Sequence, residues 1–145
     1  MSIEQLLREG IIHPFQATPD EIHKALELAR RDLDTAMEIV AHSPDWSYNI
    51  AYNSVLQACK AYMFYKGYRP ALSESHKATF AFMQDAVSDK WHSTVSYFDR
   101  VRKKRHRVVY DEVGLVSEKE LGTLLEEAGK FLNYLEHIIM KESPE

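Results

Sequence analysis

Thr18-Pro19-Asp20-Glu21 opens a run in which Ile22, Leu26, Ala29, Leu33, Ala36 and Val40 recur at steps of four and three, up to Ser43-Pro44. A threonine cap, a proline at the first helical position and a glutamate three residues after the cap start a helix, and the repeat gives it one buried stripe. The same grammar continues on both sides. From about Asp45 to Lys66 the chain is apolar on several faces (Ile50, Ala51, Val55, Leu56, Ala58, Ala61, Tyr62, Phe64) and is stopped by Gly67 and Pro70, which predicts a central helix. A shorter helix is expected near Ser75 to Val87, aligning His76, Phe80, Met83 and Val87. Ser88-Asp89 then interrupts and caps a fourth, from about Trp91 to Tyr110. Ser117-Glu118-Lys119-Glu120 repeats the capping pattern before a last helix whose Leu121, Leu124, Ala128, Phe131, Leu135 and Ile138 form a bundle seam. Residues 2–9 fit a small extra helix closed by Gly10, and strand signals are nearly absent.

Short connections, no repeat of 20 to 50 residues and no Pro- or Gly/Ser-rich linker point to one domain over residues 1–145, with its core at about 18–141. The expected class is all-α: an antiparallel up-and-down four-helix bundle with a shorter extra helix. A chain of 145 residues, 45% hydrophobic and 28% charged, buries roughly two-thirds of its unfolded surface, so neither disulfide nor structural metal is required for it to fold. The single cysteine, Cys59, lies among Ala58, Lys60 and Ala61 and reads as a small core residue in a reducing compartment. The opening residues lack a basic head followed by an apolar run, and no stretch approaches a membrane span, which predicts a cytoplasmic protein without membrane contact. A net charge of −4 opposes nucleic-acid binding by the whole surface but permits a local cationic site.

Such a site is present on the fourth helix. Arg100, Arg102, Lys103, Lys104, Arg105 and Arg107 place six cations in eight positions, with His106 among them. Arg105 falls on the apolar stripe, in phase with Val101 and Val108. A guanidinium directed inward cannot shed its proton and must meet a carboxylate, carbonyls, water or an incoming anion, of which phosphate is the natural candidate. The remaining cations have a plainer reading as a solvated face, with Asp99 able to pair with Lys103 and Arg107 with Asp111 at i,i+4.

Other chemistries do not assemble. None of the seven histidines follows a glutamate by three residues, as a di-iron bundle would need. Asp20-x-x-His23 and Asp89-x-x-His92 suit first-turn capping, and His76 reads as a core histidine. There is no Gly-rich phosphate loop, His-Glu-x-x-His or Gly-x-Ser-x-Gly, and no cofactor is called for.

Ala51-Tyr52-Asn53 with Ala58 and Ala61, Gly67-Tyr68-Arg69-Pro70, His76-Lys77 and Arg105-His106-Arg107-Val108-Val109-Tyr110-Asp111 together resemble the HEPN domains of prokaryotic helical-bundle proteins over about residues 15–140. Many such domains are metal-independent endoribonucleases, often the toxin of a toxin–antitoxin pair whose partner is a minimal nucleotidyltransferase; others are inactive binding or regulatory modules. Their motif is an arginine, a polar residue, a short spacer and a histidine at a cleft between two protomers. Arg105-His106 fits its opening, and the closing position falls on Tyr110. Arg100 with His106 also satisfies the spacing, but apolar Val101 follows Arg100, which favours the first register.

The resemblance implies a homodimer acting on single-stranded RNA by attack of a ribose 2′-hydroxyl on the adjacent phosphate. Arg105 would clamp the phosphate, His106 would serve as general base or phosphate contact, and Tyr110 would contact phosphate or ribose. Arg100, Arg102, Lys103, Lys104 and Arg107 would hold the strand. Tyrosine, with an ordinary pKa of about 10, is a poor base at neutral pH, so cleavage is expected to be weak or lost. On a straight helix His106 shares a face with Arg102 and Tyr110, whereas Arg105 and Tyr110 are about 140° apart. The alternatives are a non-catalytic module regulated by a nucleotidyltransferase that modifies Tyr110, and a homodimer whose arginines pair with its own acids.

Overall fold

The computed structural model describes residues 1–72 and 75–142. The extent 1–145 read from sequence therefore includes residues 73–74 and 143–145, which lie outside the described residues. The protein has an all-α helical fold, in which the described residues form six helices and a two-stranded ribbon: α1 (Ile3–Arg8), β1 (Ile12–Pro14), α2 (Pro19–Glu38), α3 (Pro44–Lys66), β2 (Tyr68–Pro70), α4 (Ser75–Ala86), α5 (His92–Tyr110) and α6 (Glu118–Glu142). A single 3-10 turn, Asp89–Trp91, leads into α5.

The helix starts follow from local chemistry. Thr18 accepts from the Glu21 amide while the Glu21 carboxylate takes the Thr18 amide, and Ser117 and Glu120 exchange the same pair of bonds. Ser43 caps α3 ahead of Pro44. At the far end of α3 Gly67 sits at φ 95°, a left-handed conformation that glycine adopts without strain, and its amide bonds back to the last turn. Ser88, expected as a cap, makes no side-chain capping bond, and the chain uses the 3-10 turn there instead.

Side-chain bonds fix the helix directions. Ser47 Oγ donates to the Ala36 carbonyl at 2.7 Å and Ser54 Oγ to the Ala29 carbonyl at 2.6 Å, so α2 and α3 run antiparallel. Asn53 seals this seam by donating to the buried Asp32 carboxylate at 2.8 Å. The α5–α6 pair is antiparallel as well, joined by Lys104–Glu120 near one end and by the Phe98–Phe131 and Trp91–Tyr134 ring contacts toward the other. Helix α3 lies at the centre, touching α2, α4, α5 and α6. Tyr52, Val55, Ala58, Cys59 and Met63 are buried on it, and Phe98, Leu124, Phe131 and Leu135 close the core from α5 and α6.

The ribbon departs from the expectation of almost no strand. Ile12, His13 and Pro14 pair antiparallel with Pro70, Arg69 and Tyr68. Each strand has three residues, one of them proline, so neither shows the alternation by which a strand is read from sequence. The ribbon carries the chain back along α3: Tyr68 packs on Phe82 near the end of α4, while His76 at the start of α4 reaches Tyr52 in the middle of α3. This return delivers His76 to the groove between α3 and α5.

Candidate nucleic-acid interface

Three positions one turn apart on α3, Trp46, Asn49 and Tyr52, face a line on α5 formed by Val108 and Val109, Arg105 and Arg102. Arg105 lies at the middle of this seam. Its Nε donates to Asn49 Oδ1 at 2.8 Å, and its guanidinium carbon lies 5.5 Å from the centroid of the Tyr52 ring. Both partners are neutral, and no Asp or Glu among the described residues forms an ion pair with Arg105. The half-buried charge is thus held by an amide oxygen and a π face, with donors to spare.

Tyr52 connects the guanidinium to an imidazole. Its Oη lies 3.1 Å from His76 Nδ1. Burial holds the Tyr52 phenol well above tyrosine's ordinary range, against the opposing pull of Arg105, so the hydroxyl stays protonated. Burial, then the charges of Arg105 and Arg102, hold His76 below the usual imidazole range, so its ring is neutral at pH 7. His76 is only half-buried and lines a cleft with Leu72, Ser75, Lys77 and Arg102. It was expected in the core, and it instead stands at the core's edge as part of this polar groove.

The other cations are disposed differently. Arg102 Nε donates to Asp99 Oδ1 at 2.8 Å, so Asp99 pairs at i,i+3 with Arg102 and not with Lys103 as its spacing suggested. Arg107 makes no ion pair with Asp111 among the described residues. Lys104 is engaged by Glu120 across the α5–α6 seam, an interaction that keeps the Glu120 carboxyl below its usual range. Arg100 stands over the Tyr97 ring at 5.9 Å, and Lys103, His106 and Arg107 are exposed.

His106 and Tyr110 meet, with ring centroids 4.9 Å apart. Arg102, which shares their face on an ideal helix, turns to Asp99 instead. Arg105 faces the groove and contacts Asn49 and Tyr52, so the structure does not unite it with the His106–Tyr110 pair within one chain. Asn49, Tyr52 and His76 were not among the site residues expected from sequence. Their usable signal was an asparagine and a tyrosine three apart on the central helix, together with a histidine at the start of the helix that follows.

The HEPN domain model matches residues 17–138. The chain belongs to the HEPN domain family. No curated protein and no solved structure matches it. HEPN domains are in general RNA-acting modules, often related to ribonucleases and toxins. In this HEPN domain Arg105 lies within the α3–α5 groove. No helix among the described residues is long and apolar enough to cross a membrane.

Proposed function

We propose that this HEPN domain binds single-stranded RNA along the α3–α5 groove, with Arg105 as the phosphate clamp. The observation that carries this reading is the guanidinium held by Asn49 and the Tyr52 ring without a carboxylate among the described residues. A charge so placed is oriented and partly desolvated before the ligand arrives, and an RNA phosphate supplies the missing counter-charge. Lys103, Arg107 and the cleft holding Arg102 and Lys77 extend the positive surface on which a strand can lie.

Cleavage would use the ribose 2′-hydroxyl as nucleophile on the neighbouring phosphorus, forming a 2′,3′-cyclic phosphate as the P–O5′ bond breaks and the next nucleotide leaves with a 5′-hydroxyl, with Arg105 stabilising the added negative charge. The proton must pass to a base, and tyrosine at the closing position of the motif does this poorly. His106 is the imidazole beside it, but it faces away from the groove. A homodimer around one strand, with Arg105 from one copy and His106 from the other, completes the set. Turnover is accordingly slow relative to binding. Binding of a labelled single-stranded oligoribonucleotide tests the reading: Arg105→Ala should lose tenfold or more in affinity, and Arg105→Lys should recover only part of it. Equal affinity in all three proteins would contradict it.

A second reading is favoured by Tyr110, which is 67% exposed at the end of α5. Its hydroxyl is open to a nucleotidyltransferase partner; attack of the phenol oxygen, with loss of its proton, on the α-phosphorus of ATP, releasing pyrophosphate, would place a negatively charged nucleotide beside the basic segment and weaken RNA binding. Incubation with ATP and a minimal nucleotidyltransferase encoded beside the gene, followed by intact-mass measurement, should show one added nucleotide that Tyr110→Phe abolishes. An unchanged mass would remove this reading.

A further inference from the structure

One turn beyond Arg105 the groove changes character. Trp46, 57% exposed, faces Val108, Val109 and the 96%-exposed Val113 across a cleft of about 290 Å3 that Ser43 and Asp45 complete. One Asp45 oxygen accepts the Gly114 amide at 3.0 Å, fixing the loop after α5 against the first turn of α3. The wall therefore carries an indole, three valines and a carboxylate, with no cation. A phosphate is repelled there, while a flat neutral heterocycle finds an apolar face, an aromatic ring and an acceptor for its N–H groups. The volume is at the small end for ligand pockets, suited to a single ring system.

Position decides which heterocycle this is. Trp46 precedes Asn49 by three residues, and Val108 and Val109 follow Arg105 by three and four, so the cleft lies about 5 Å along the groove from the guanidinium. That offset resembles the separation of a phosphate from its own base. Exposed cations, Lys103 and Arg107, continue on α5 and complement a polyanionic strand.

We infer that this cleft receives one unpaired nucleobase, stacked on Trp46, of the strand whose phosphate Arg105 holds. The inference rests on the RNA-binding reading above and sharpens it: the preferred ligand has a base free to leave its stack, and a duplex is excluded from the cleft.

Binding of three probes to the wild type, Trp46→Ala and Trp46→Phe tests this: a single-stranded oligoribonucleotide, its duplex, and an abasic phosphate chain of equal length. Light scattering without RNA is recorded for each protein. Trp46→Ala should weaken the single strand by about fivefold to a hundredfold, the range for loss of one stacked base, and leave the abasic chain unchanged. Trp46→Phe should restore part of the loss, and the duplex should bind more weakly than the single strand. Equal weakening of the single strand and the abasic chain, or no weakening of either, overturns the inference while RNA binding itself stands. Conversion of a wild-type dimer to monomer by Trp46→Ala overturns it in favour of a second copy seated on this face. Failure of the wild type to bind any probe removes the RNA-binding reading together with the inference.

Discussion

Tyr52 Oη lies 3.1 Å from His76 Nδ1, which ties α4 to the central helix at the residue whose ring also lies beneath Arg105. One buried phenol thus positions both a permanent cation and a titratable ring. The two cannot be positively charged together without cost, because both lie against the same Tyr52 side chain.

This coupling has a pH signature. Burial first, and then Arg105 and Arg102, depress the His76 pKa, so the native state favours neutral His76 more than the unfolded chain does. A group depressed in this way adds stability that is complete above its unfolded pKa of about 6.5 and is lost as pH falls through its lower native value. The melting temperature should therefore decline from neutral to mildly acid pH, and His76→Gln should flatten that decline. In an NMR titration, Arg105→Ala should move the His76 midpoint upward toward the ordinary range. An unmoved midpoint would show that Arg105 does not act on His76.

The basic segment separates into engaged and free cations. Lys104 is paired with Glu120, whereas Lys103 and Arg107 are exposed. Lys103→Ala and Arg107→Ala should each reduce the salt slope of RNA binding by up to about one, and Lys104→Ala should leave it unchanged. Equal effects from all three lysine and arginine changes would mean that the whole segment acts as an undifferentiated charge.

Gly67 holds the turn from α3 into the ribbon at φ 95°. Its substitution by alanine meets open space, the nearest atom to an added Cβ being the Phe15 carbonyl oxygen at 3.9 Å, so any penalty is conformational. Gly67→Ala should cost about 1 to 2 kcal/mol in urea unfolding. A negligible change would indicate that the turn relaxes without left-handed strain.

Most helix starts and stops were legible because each depends on residues close in sequence: Thr18 with Glu21, Ser117 with Glu120, and Gly67 after Lys66. The stripes were read one turn too far or one residue off at their ends, since α2 stops at Glu38 before Val40, and Ile139 is buried where Ile138 was expected. The inward phase of Arg105 was legible for the same reason, being set by its spacing from Val101 and Val108. What it meets was not. Asn49 and Arg105 are separated by 56 residues, and Tyr52 and His76 by 24, so their pairing depends on which helices become neighbours. The return of the chain through Tyr68–Pro70, which brings His76 to Tyr52, leaves no periodic pattern in six residues of strand. Local spacing also misassigned Asp99: i,i+4 to Lys103 and i,i+3 to Arg102 are both within reach, and the side-chain geometry selects Arg102.

The most direct test of the account is the affinity of wild type and Arg105→Ala for a single-stranded oligoribonucleotide, measured across a range of salt concentrations. An Arg105 that clamps a phosphate predicts a loss of tenfold or more at low salt and a log–log slope shallower by about one in the variant. Superimposable lines for the two proteins would contradict it.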